Sequence, residues 1–350
     1  MTKPHHIYIH VPFCISKCNY CAFFSRAIAP DWDSYLSSIL NEIDFWDKKL
    51  GNFDVPTIFF GGGTPSLMPV SVFQKIVQYI GKKFNILPHC EITLESNPGT
   101  LDIIKLNDFI NNGVNRLSIG VQSLCDSELQ FLGRRHSVYD AMILIENALN
   151  KKLNINCDFI YGLPNQTVDD VITLCNKINS FGLNHVSMYE LTIEKNTPFG
   201  KMNLNMPDNE TMANMYCAIS KTLKLPKYEV SNYAFTHNQC KHNSGIWDGD
   251  AYIGIGNGAM GRILINTDWY EQSGGDIHLD KLSQTERATE KIITGMRTIR
   301  GVKITDDIKK LLNYDFIKKN SALVNISNNR INATEKGLLI LDDLLLKLIK

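Results

Sequence analysis

Three cysteines near the start of the chain have the type and spacing of metal ligands: Cys14, Cys18 and Cys21. A structural zinc site or a buried iron–sulfur cluster normally has four protein ligands, and a disulfide has two. Three thiolates can hold three irons of a four-iron cubane and leave the fourth iron open to an exchangeable ligand. The alternative is a zinc site completed by a nearby histidine: His5, His6 or His10. The second C-x2-C pair of zinc modules is missing, so the spacing favours an iron–sulfur cluster.

Residues suited to ligand binding also follow short apolar runs further along the chain. The stretch GGGTP at 61–65 is not a P-loop, which needs Lys and then Ser or Thr after its last glycine. Three adjacent glycines instead let a ligand lie against bare backbone, whose N–H and C=O groups can bind an amino or carboxylate group. The stretches ESNPG at 95–99 and VQS at 121–123 follow similar runs, and Asp158 lies within another. We expect these residues to meet at one site.

The apolar runs have the pattern of β-strands and alternate with segments of helical period. Strands buried on both faces and joined by helices predict a parallel sheet. Six consecutive units indicate an α/β protein with a partial, TIM-like (βα)6 barrel, whose site lies where strands end and loops begin. One helix is expected to begin after an N-cap at Thr167. The six predicted strands are 7–11, 57–60, 91–95, 116–121, 156–162 and 185–192.

Composition limits the class of protein. Lys and Arg number 36 and balance 36 Asp and Glu, so the charge footprint of a dedicated nucleic-acid binder is absent. The N-terminal sequence has no apolar signal region, and charges interrupt the most apolar stretch near the C-terminus, so no transmembrane segment is expected. Nine cysteines, six of them scattered singly, fit a reducing compartment. We therefore expect a cytoplasmic protein.

Taken together, the motifs resemble those of the HemN/HemW branch of the radical S-adenosylmethionine (SAM) superfamily. The resemblance covers nearly the whole chain in order and spacing. It implies a [4Fe-4S] cluster on Cys14, Cys18 and Cys21, whose open iron is chelated by the amino and carboxylate groups of SAM. The motifs are HIYIHVPFCISKCNYCAF, IFFGGGTPSL, EITLESNPGT, GVNRLSIGVQS, LGRRH and DFIYGLPNQT.

The same resemblance implies which residues line the SAM site. Each also has an ordinary structural alternative: Glu95 and Asp158 as strand-end carboxylates, Tyr8 as a core aromatic, Arg134 as a surface charge. As an ordered set they favour the site. A valine at position 63 is expected to clash with SAM and to leave the cluster intact. The implied SAM residues are Tyr8, Gly62, Gly63, Thr64, Glu95, Gln122, Arg134 and Asp158.

Members of this branch have two functions. Some decarboxylate coproporphyrinogen III without oxygen, using a SAM-derived radical, and others bind heme and pass it to an acceptor protein. Phe23 stands where the decarboxylases have a further cysteine, and only thirteen residues precede Cys14. We therefore expect a heme chaperone without coproporphyrinogen oxidase activity. The oxidase, or a related SAM-dependent enzyme that methylates or modifies a tetrapyrrole, is the alternative.

A third feature favours the chaperone and suggests a heme ligand. HNSGIW at 242–247 resembles the H-N-x-x-Y-W stretch of the heme-binding members, in which histidine is a candidate ligand, so His242 is the tentative ligand here. Ile246 replaces the usual tyrosine, and Met260 stands where relatives commonly have histidine. A buried or helix-capping role for His242 is the alternative, and Met260 or Cys240 could take its place. The expected partners are heme, an acceptor such as a respiratory heme protein, and an electron donor for the cluster.

The pattern changes after about residue 265. Residues 283–299 and 306–312 have helical period, 323–334 is a predicted hairpin turning at Asn328 and Asn329, and a last helix follows from Glu335. We expect residues 1–265 to form the radical SAM core with an extension carrying the heme motif. Residues 266–350 are expected to form a small α+β domain like the C-terminal domain of this branch, with a winged-helix likeness.

Overall fold

The computed structural model describes residues 4–151, 153–273 and 277–350. Eleven strands of these ranges form one open sheet in the order β11-β10-β9-β8-β1-β2-β3-β4-β5-β6-β7. Strands β8 and β1 to β6 are mutually parallel, and β7 and β9 to β11 pair antiparallel. The strands are β1 His5–Val11, β2 Asp54–Gly62, β3 Asn85–Ser96, β4 Arg116–Gln122, β5 Asn154–Tyr161, β6 His185–Glu190, β7 Asn232–Ala234, β8 Ala251–Ile255, β9 Gly261–Ile265, β10 Asp268–Ser273 and β11 His278–Leu282.

Helices between the strands cover the outer face of the sheet, where the main hydrophobic core lies. The six predicted strands are confirmed, and so is the α/β architecture of a partial barrel. The helices up to the end of this sheet are α1 Trp32–Leu50, α2 Val70–Lys83, α3 Ile103–Asn111, α4 Asp126–Phe131, α5 Val138–Asn150, α6 Val168–Ser180, α7 Asn209–Thr222 and α8 Lys241–Asp248.

Helix α6 shows how local sequence sets these elements. Thr167 is its N-cap, and its hydroxyl accepts from the N–H of Asp170. The Asp170 carboxylate accepts from the N–H of Thr167, which completes a capping box. The predicted helix start is therefore confirmed. Its buried residues, Val171, Leu174, Cys175 and Ile178, lie along one face of the helix.

The inner face of the sheet is polar, and strand periodicity of two explains why. In β4, Leu117, Ile119 and Val121 are fully buried on the helix side. The alternate residues of the same strand line an internal cavity: Arg116, Ser118, Gly120 and Gln122. A strand that reads as a buried run thus carries both core and site residues.

The region after the large sheet has its own core and a small antiparallel sheet in the order β12-β14-β13. Its hairpin turns at Asn328 and Asn329, both with positive φ (49° and 56°), which confirms the predicted turn. The elements are α9 Gln284–Gly295, β12 Val302–Lys303, α10 Asp306–Leu311, α11 Tyr314–Lys319, β13 Val324–Ser327, β14 Arg330–Ala333, α12 Glu335–Leu338 and α13 Leu341–Leu348.

The expected division between residues 265 and 266 stays a prediction. In the structure the large sheet continues past this point through β10 and β11 to Leu282, and the second core begins with Ala288. None of the helices formed by the described residues has both the length and the apolar character needed to cross a bilayer.

Candidate functional site

The cysteine loop follows β1, and backbone hydrogen bonds join its beginning to its end. The N–H of Cys14 donates to the carbonyl of Arg26 (3.0 Å), and the N–H of Arg26 donates to the carbonyl of Pro12 (2.7 Å). Cys14, Cys18 and Cys21 line one cavity of about 490 Å³ inside the barrel. A pocket of this size suits one cofactor-sized ligand. The three predicted cluster ligands are therefore brought together.

The surroundings of the sulfurs suit thiolate ligands of a cluster. Thr64 Oγ1 donates to Cys14 Sγ (3.7 Å), and Arg134 Nη1 donates to Cys18 Sγ (3.4 Å). Such donors stabilise negative charge on a metal-bound sulfur. Burial raises the pKa of the Cys21 thiol, which an iron would offset by direct coordination.

The histidines of the zinc alternative are engaged elsewhere. His10 Nε2 donates to the carbonyl of Phe24 (2.8 Å), so its Nδ1 accepts from the Tyr8 hydroxyl (3.0 Å). His6 bonds to Thr57, and His5 packs against Phe53. Within the described residues no three His, Cys, Asp or Glu side chains converge tightly enough to hold one metal ion. Thiols that each bind a separate iron of a cubane need no such convergence.

The glycine run lines the cavity and also packs closely against the cysteine loop and the His10 ring. An added Cβ would lie 2.6 Å from the His10 ring at Gly62, and 2.6 Å from the Phe13 carbonyl oxygen and 3.0 Å from Cys14 Sγ at Gly63. The glycines therefore let β2 end against the cysteine loop. The N–H groups of 62, 63 and 64 all donate within the protein, so they do not offer a ligand the backbone donors that we expected.

Two carboxylates face the cavity from β3 and β5. Glu95 accepts from the N–H of Gly62 (3.1 Å). Burial, together with the nearby charge of Asp158, raises the pKa of Glu95 to about 8. Burial also raises the pKa of Asp158, which accepts from Asn156 Nδ2 (2.8 Å) and Ser118 Oγ (3.1 Å). Acceptors of this kind suit the ammonium and hydroxyl groups of a ligand such as SAM.

Arg134 and Gln122 complete the cavity wall at the ends of the strands. Arg134 Nη2 donates to the carbonyl of Gly120 (2.7 Å) and to Asn97 Oδ1. Gln122 has a φ of 70° at a register irregularity between β4 and β5, a strained conformation for a residue with a side chain. Such strain concentrates where a side chain must be aimed at a site.

Asn97 is a site residue that sequence reasoning missed. Its Nδ2 donates to Thr64 Oγ1 (3.0 Å), and its Oδ1 accepts from Arg134, so it links the donors to Cys14 and Cys18. The signal was its position in the ESNPG stretch, two residues after Glu95.

Tyr8, by contrast, lies outside the cavity wall. It contacts His10 and Phe59 beside the cavity but does not line it.

The candidate heme ligand, His242, lies in α8 towards the amino ends of the parallel strands. Glu91 accepts from the N–H groups of Lys241 and His242 (3.0 Å each) and so caps this helix. His242 is 2% exposed, packs 5.0 Å from the Phe59 ring centroid, and does not line the cavity.

A hydrogen-bonded relay sets the tautomer of His242. The Asp250 carboxylate accepts from His6 Nε2 (3.5 Å), so in neutral His6 the Nδ1 atom accepts from the Thr57 hydroxyl (2.7 Å). Thr57 Oγ1 then accepts from His242 Nδ1 (2.7 Å). His242 Nε2 is left with a lone pair and no hydrogen-bond partner among the described residues. Burial lowers the pKa of His242 well below its usual range, so this ring is neutral.

The other two candidate ligands differ in access. Met260 lies in the turn between β8 and β9 and is 49% exposed. Cys240 is buried with its Sγ 3.6 Å from Glu91 Oε1. Phe23, the residue that replaces the extra cysteine of the decarboxylases, lines the cavity mouth and is 70% exposed.

Comparison with known proteins places this site in a family. The model of the radical SAM superfamily matches residues 8–178. Heme chaperone HemW of Buchnera aphidicola subsp. Schizaphis graminum is 37% identical over 272 residues, which cover 76% of this chain and 72% of that protein. The chain belongs to the HemW family of radical SAM proteins. A second HemW, from Lactococcus lactis subsp. lactis, is 30% identical and aligns with 96% of this chain and 95% of its own length.

The fold of the HemW family is also that of a solved relative. The coproporphyrinogen III oxidase HemN from Escherichia coli superposes with a TM-score of 0.80 at 17% identity, covering 99% of this chain and 90% of that chain. At this identity the likeness concerns the fold alone. The expected family and architecture are therefore both confirmed.

Proposed function

We propose that the protein is a heme chaperone, which binds heme and transfers it to an acceptor protein with the help of a [4Fe-4S] cluster and SAM. The observation that carries the proposal is the similarity to proteins named heme chaperone HemW over at least two thirds of their length. Phe23 at the cavity mouth supports the proposal. Its exposed aromatic ring can pack against a flat apolar macrocycle, whereas it cannot ligate iron as a cysteine could.

Cys14, Cys18 and Cys21 are the proposed cluster ligands. They face one cavity, and Thr64 and Arg134 donate to two of their sulfurs. Three protein ligands leave one iron of the cluster open, where the bound cluster supplies an exchangeable coordination position.

The proposed SAM site is the part of the cavity beside the cysteines. Glu95 and Asp158 supply hydrogen-bond acceptors, and Arg134 and Gln122 supply side-chain donors. Thr64 also lines the cavity, where its hydroxyl accepts from Asn97. Gly62 and Gly63 allow the close approach of the strand and the cysteine loop. Tyr8 supports His10 from behind the wall.

His242 is the proposed heme ligand because its Nε2 lone pair is unused and its tautomer is set by Thr57 and His6. Its burial means that α8 must move for heme iron to reach it. Met260 is the proposed substitute if α8 stays in place, since its thioether is already exposed.

We further propose a cytoplasmic protein that takes electrons from a donor for the cluster, delivers heme to an acceptor such as a respiratory heme protein, and binds no nucleic acid. Equal numbers of acidic and basic residues support the last point. Residues 1–265 and 266–350 remain the proposed functional units, with the second resembling a winged helix through its three-stranded sheet.

Anaerobic reconstitution followed by separate assays of heme binding and coproporphyrinogen III turnover tests the proposal. We expect stoichiometric heme binding and no protoporphyrinogen IX. His242→Ala should weaken heme binding and shift the Soret band while the cluster content, measured as acid-labile sulfide, stays unchanged, because His242 does not line the cavity that the cysteines face. His278→Ala, which removes an exposed histidine, is the matched control.

Two results would contradict the proposal. Robust formation of protoporphyrinogen IX would make the protein an oxidase. An unchanged heme affinity and spectrum in His242→Ala would instead keep the chaperone function and move the ligand to Met260 or Cys240.

A further inference from the structure

The deep end of the cavity contains a buried cation with no ion-pair partner among the residues that the structure describes. Arg116, the first residue of β4, is 2% exposed, and its side chain lines the cavity. Within the described part of the chain its Nε–H has no hydrogen-bond partner, and its guanidinium forms no ion pair with a carboxylate. A buried guanidinium is normally paired, because removing its charge from water is costly.

Two further buried polar atoms near Arg116 also lack partners among the described residues. Thr93 is the register neighbour of Arg116 in β3, and its Oγ1 is unpaired. His242 Nε2 is unpaired as well, and the charge of Arg116 contributes to the lowered pKa of His242. Nine in ten buried polar groups are paired in proteins. The unpaired Arg116 Nε–H and Thr93 hydroxyl are donors, so they indicate a missing acceptor, whereas His242 Nε2 offers a lone pair.

The nearest protein carboxylates are already committed. Glu91 accepts from the backbone N–H groups that begin α8. Asp158 accepts from Asn156 and Ser118. Both act on Arg116 through space without bonding to it. The missing partner must therefore come from outside the described chain.

We propose that Arg116 is an anion subsite that binds a carboxylate of the ligand occupying the cavity. A guanidinium presents parallel N–H donors that match a carboxylate, and its permanent positive charge favours an anion over water. Thr93 Oγ1 supplies a further donor beside it. The proposal rests on the proposed function only for the identity of the ligands: heme carries two propionate carboxylates, and SAM carries one carboxylate, which the family resemblance assigns to the open iron.

Binding of paired ligands tests the subsite and identifies the source of the carboxylate. Equilibrium affinities are measured on the reconstituted protein for heme against heme dimethyl ester, and for SAM against decarboxylated SAM. Arg116→Gln should weaken one acid ligand by about tenfold to a hundredfold and leave its carboxylate-free analogue unchanged. Arg116→Lys should recover part of the loss, and Arg135→Gln, which removes an exposed cation that does not line the cavity, should have no effect.

Each outcome decides the proposal. If Arg116→Gln no longer binds heme more tightly than heme dimethyl ester, the subsite is assigned to heme. If it no longer binds SAM more tightly than decarboxylated SAM, the subsite is assigned to SAM. Unchanged affinities for both acids in a folded Arg116→Gln overturn the subsite alone. If that variant does not fold, equal binding of heme and heme dimethyl ester by the wild-type protein overturns the assignment to heme. Wild-type protein that binds SAM but not heme contradicts the proposed function while the SAM pair still tests Arg116, and wild-type protein that binds neither contradicts both.

Discussion

Glu95 and Asp158 place two carboxyl groups in a cavity where burial disfavours their charge. Single residues of this kind determine how the site responds to pH. The ordinary pKa of Glu95 is 4.5 and its pKa in the folded protein is about 8. Between these values the folded protein keeps a proton that the unfolded chain has lost. The free energy of unfolding therefore falls as pH rises through this window.

We predict that Glu95→Gln reduces the change in the free energy of unfolding between about pH 5 and pH 8 by up to a few kcal/mol. Urea unfolding of the SAM-free protein across this range measures it. Asp158 has the same direction of shift and stays in the variant, so a smaller slope should remain. Glu146→Gln, an exposed change on α5, should keep the wild-type dependence. Superimposable profiles for wild type and Glu95→Gln would show that Glu95 is not protonated in this window.

The cysteines provide the second prediction at this scale. Replacing any one of Cys14, Cys18 or Cys21 by alanine should remove most of the iron and sulfide, because a cubane held by two thiolates has lost one of its three protein ligands. Iron and acid-labile sulfide analysis after anaerobic reconstitution measures this. Cys125→Ala, at an exposed thiol, and Cys175→Ala, at a buried one, should retain the cluster. Full iron content in the triple variant would rule out this ligand set.

At the scale of elements, the end of β2 and the cysteine loop are built against each other. A side chain at position 63 would meet the Phe13 carbonyl and Cys14 Sγ, both part of that loop. The expectation that Gly63→Val blocks SAM but spares the cluster is therefore replaced by a different one.

We predict that Gly63→Val impairs cluster assembly, with iron content at least several-fold below wild type, because the loop must shift to relieve contacts below 3.0 Å. Iron content and the cluster absorbance of the reconstituted variant measure it. Gly99→Ala is the matched control: its added Cβ meets no atom within 4 Å, although its φ of 81° makes a modest stability loss expected. A variant at position 63 with full iron content and no SAM binding would restore the original expectation.

At the scale of the whole molecule, one buried carboxylate joins the barrel to the C-terminal region. Glu229 is fully buried and accepts from the N–H of Ser231 (2.7 Å), from Asn232 Nδ2 (2.5 Å) and from Arg297 Nη2 (3.0 Å). Asn232 lies in β7 and lines the cavity, and Arg297 follows α9. The charge of Glu229 therefore holds the two parts together.

We predict that Arg297→Met lowers the free energy of unfolding by about 1 to 3 kcal/mol, because Glu229 keeps its burial and loses its ion-pair partner. Chemical denaturation measures the loss, and amide exchange should show it concentrated in α9 and around the isolated backbone bridge between Glu229 and Thr298. Arg135→Met, at an exposed arginine, should change stability little. Equal unfolding free energies for wild type and Arg297→Met would mean that Glu229 is satisfied by its other two donors.

Much of the fold was predictable from the sequence because its determinants are local. Apolar runs gave the six parallel strands, Thr167 and Asp170 gave the start of α6, and Asn328 and Asn329 gave a hairpin turn. The parallel strand β8 was missed because YIGIG is short and glycine-rich, and only its pairing with β1 identifies it as part of the sheet. The antiparallel strands β9, β10 and β11, which pair with their neighbours in sequence, were also not predicted.

For the site, the sequence by itself determined which residues could do chemistry: three cysteines at the spacing of an open cluster, and polar residues at strand ends. Only the tertiary structure decided how they are used. It showed that the glycines accommodate the cysteine loop, that Asn97 connects the sulfur donors, that α8 buries His242, and that Arg116 is left unpaired. The reason is physical. Residue type and spacing are carried along the chain, whereas burial, unpaired donors and pKa shifts arise from atoms that only folding brings together.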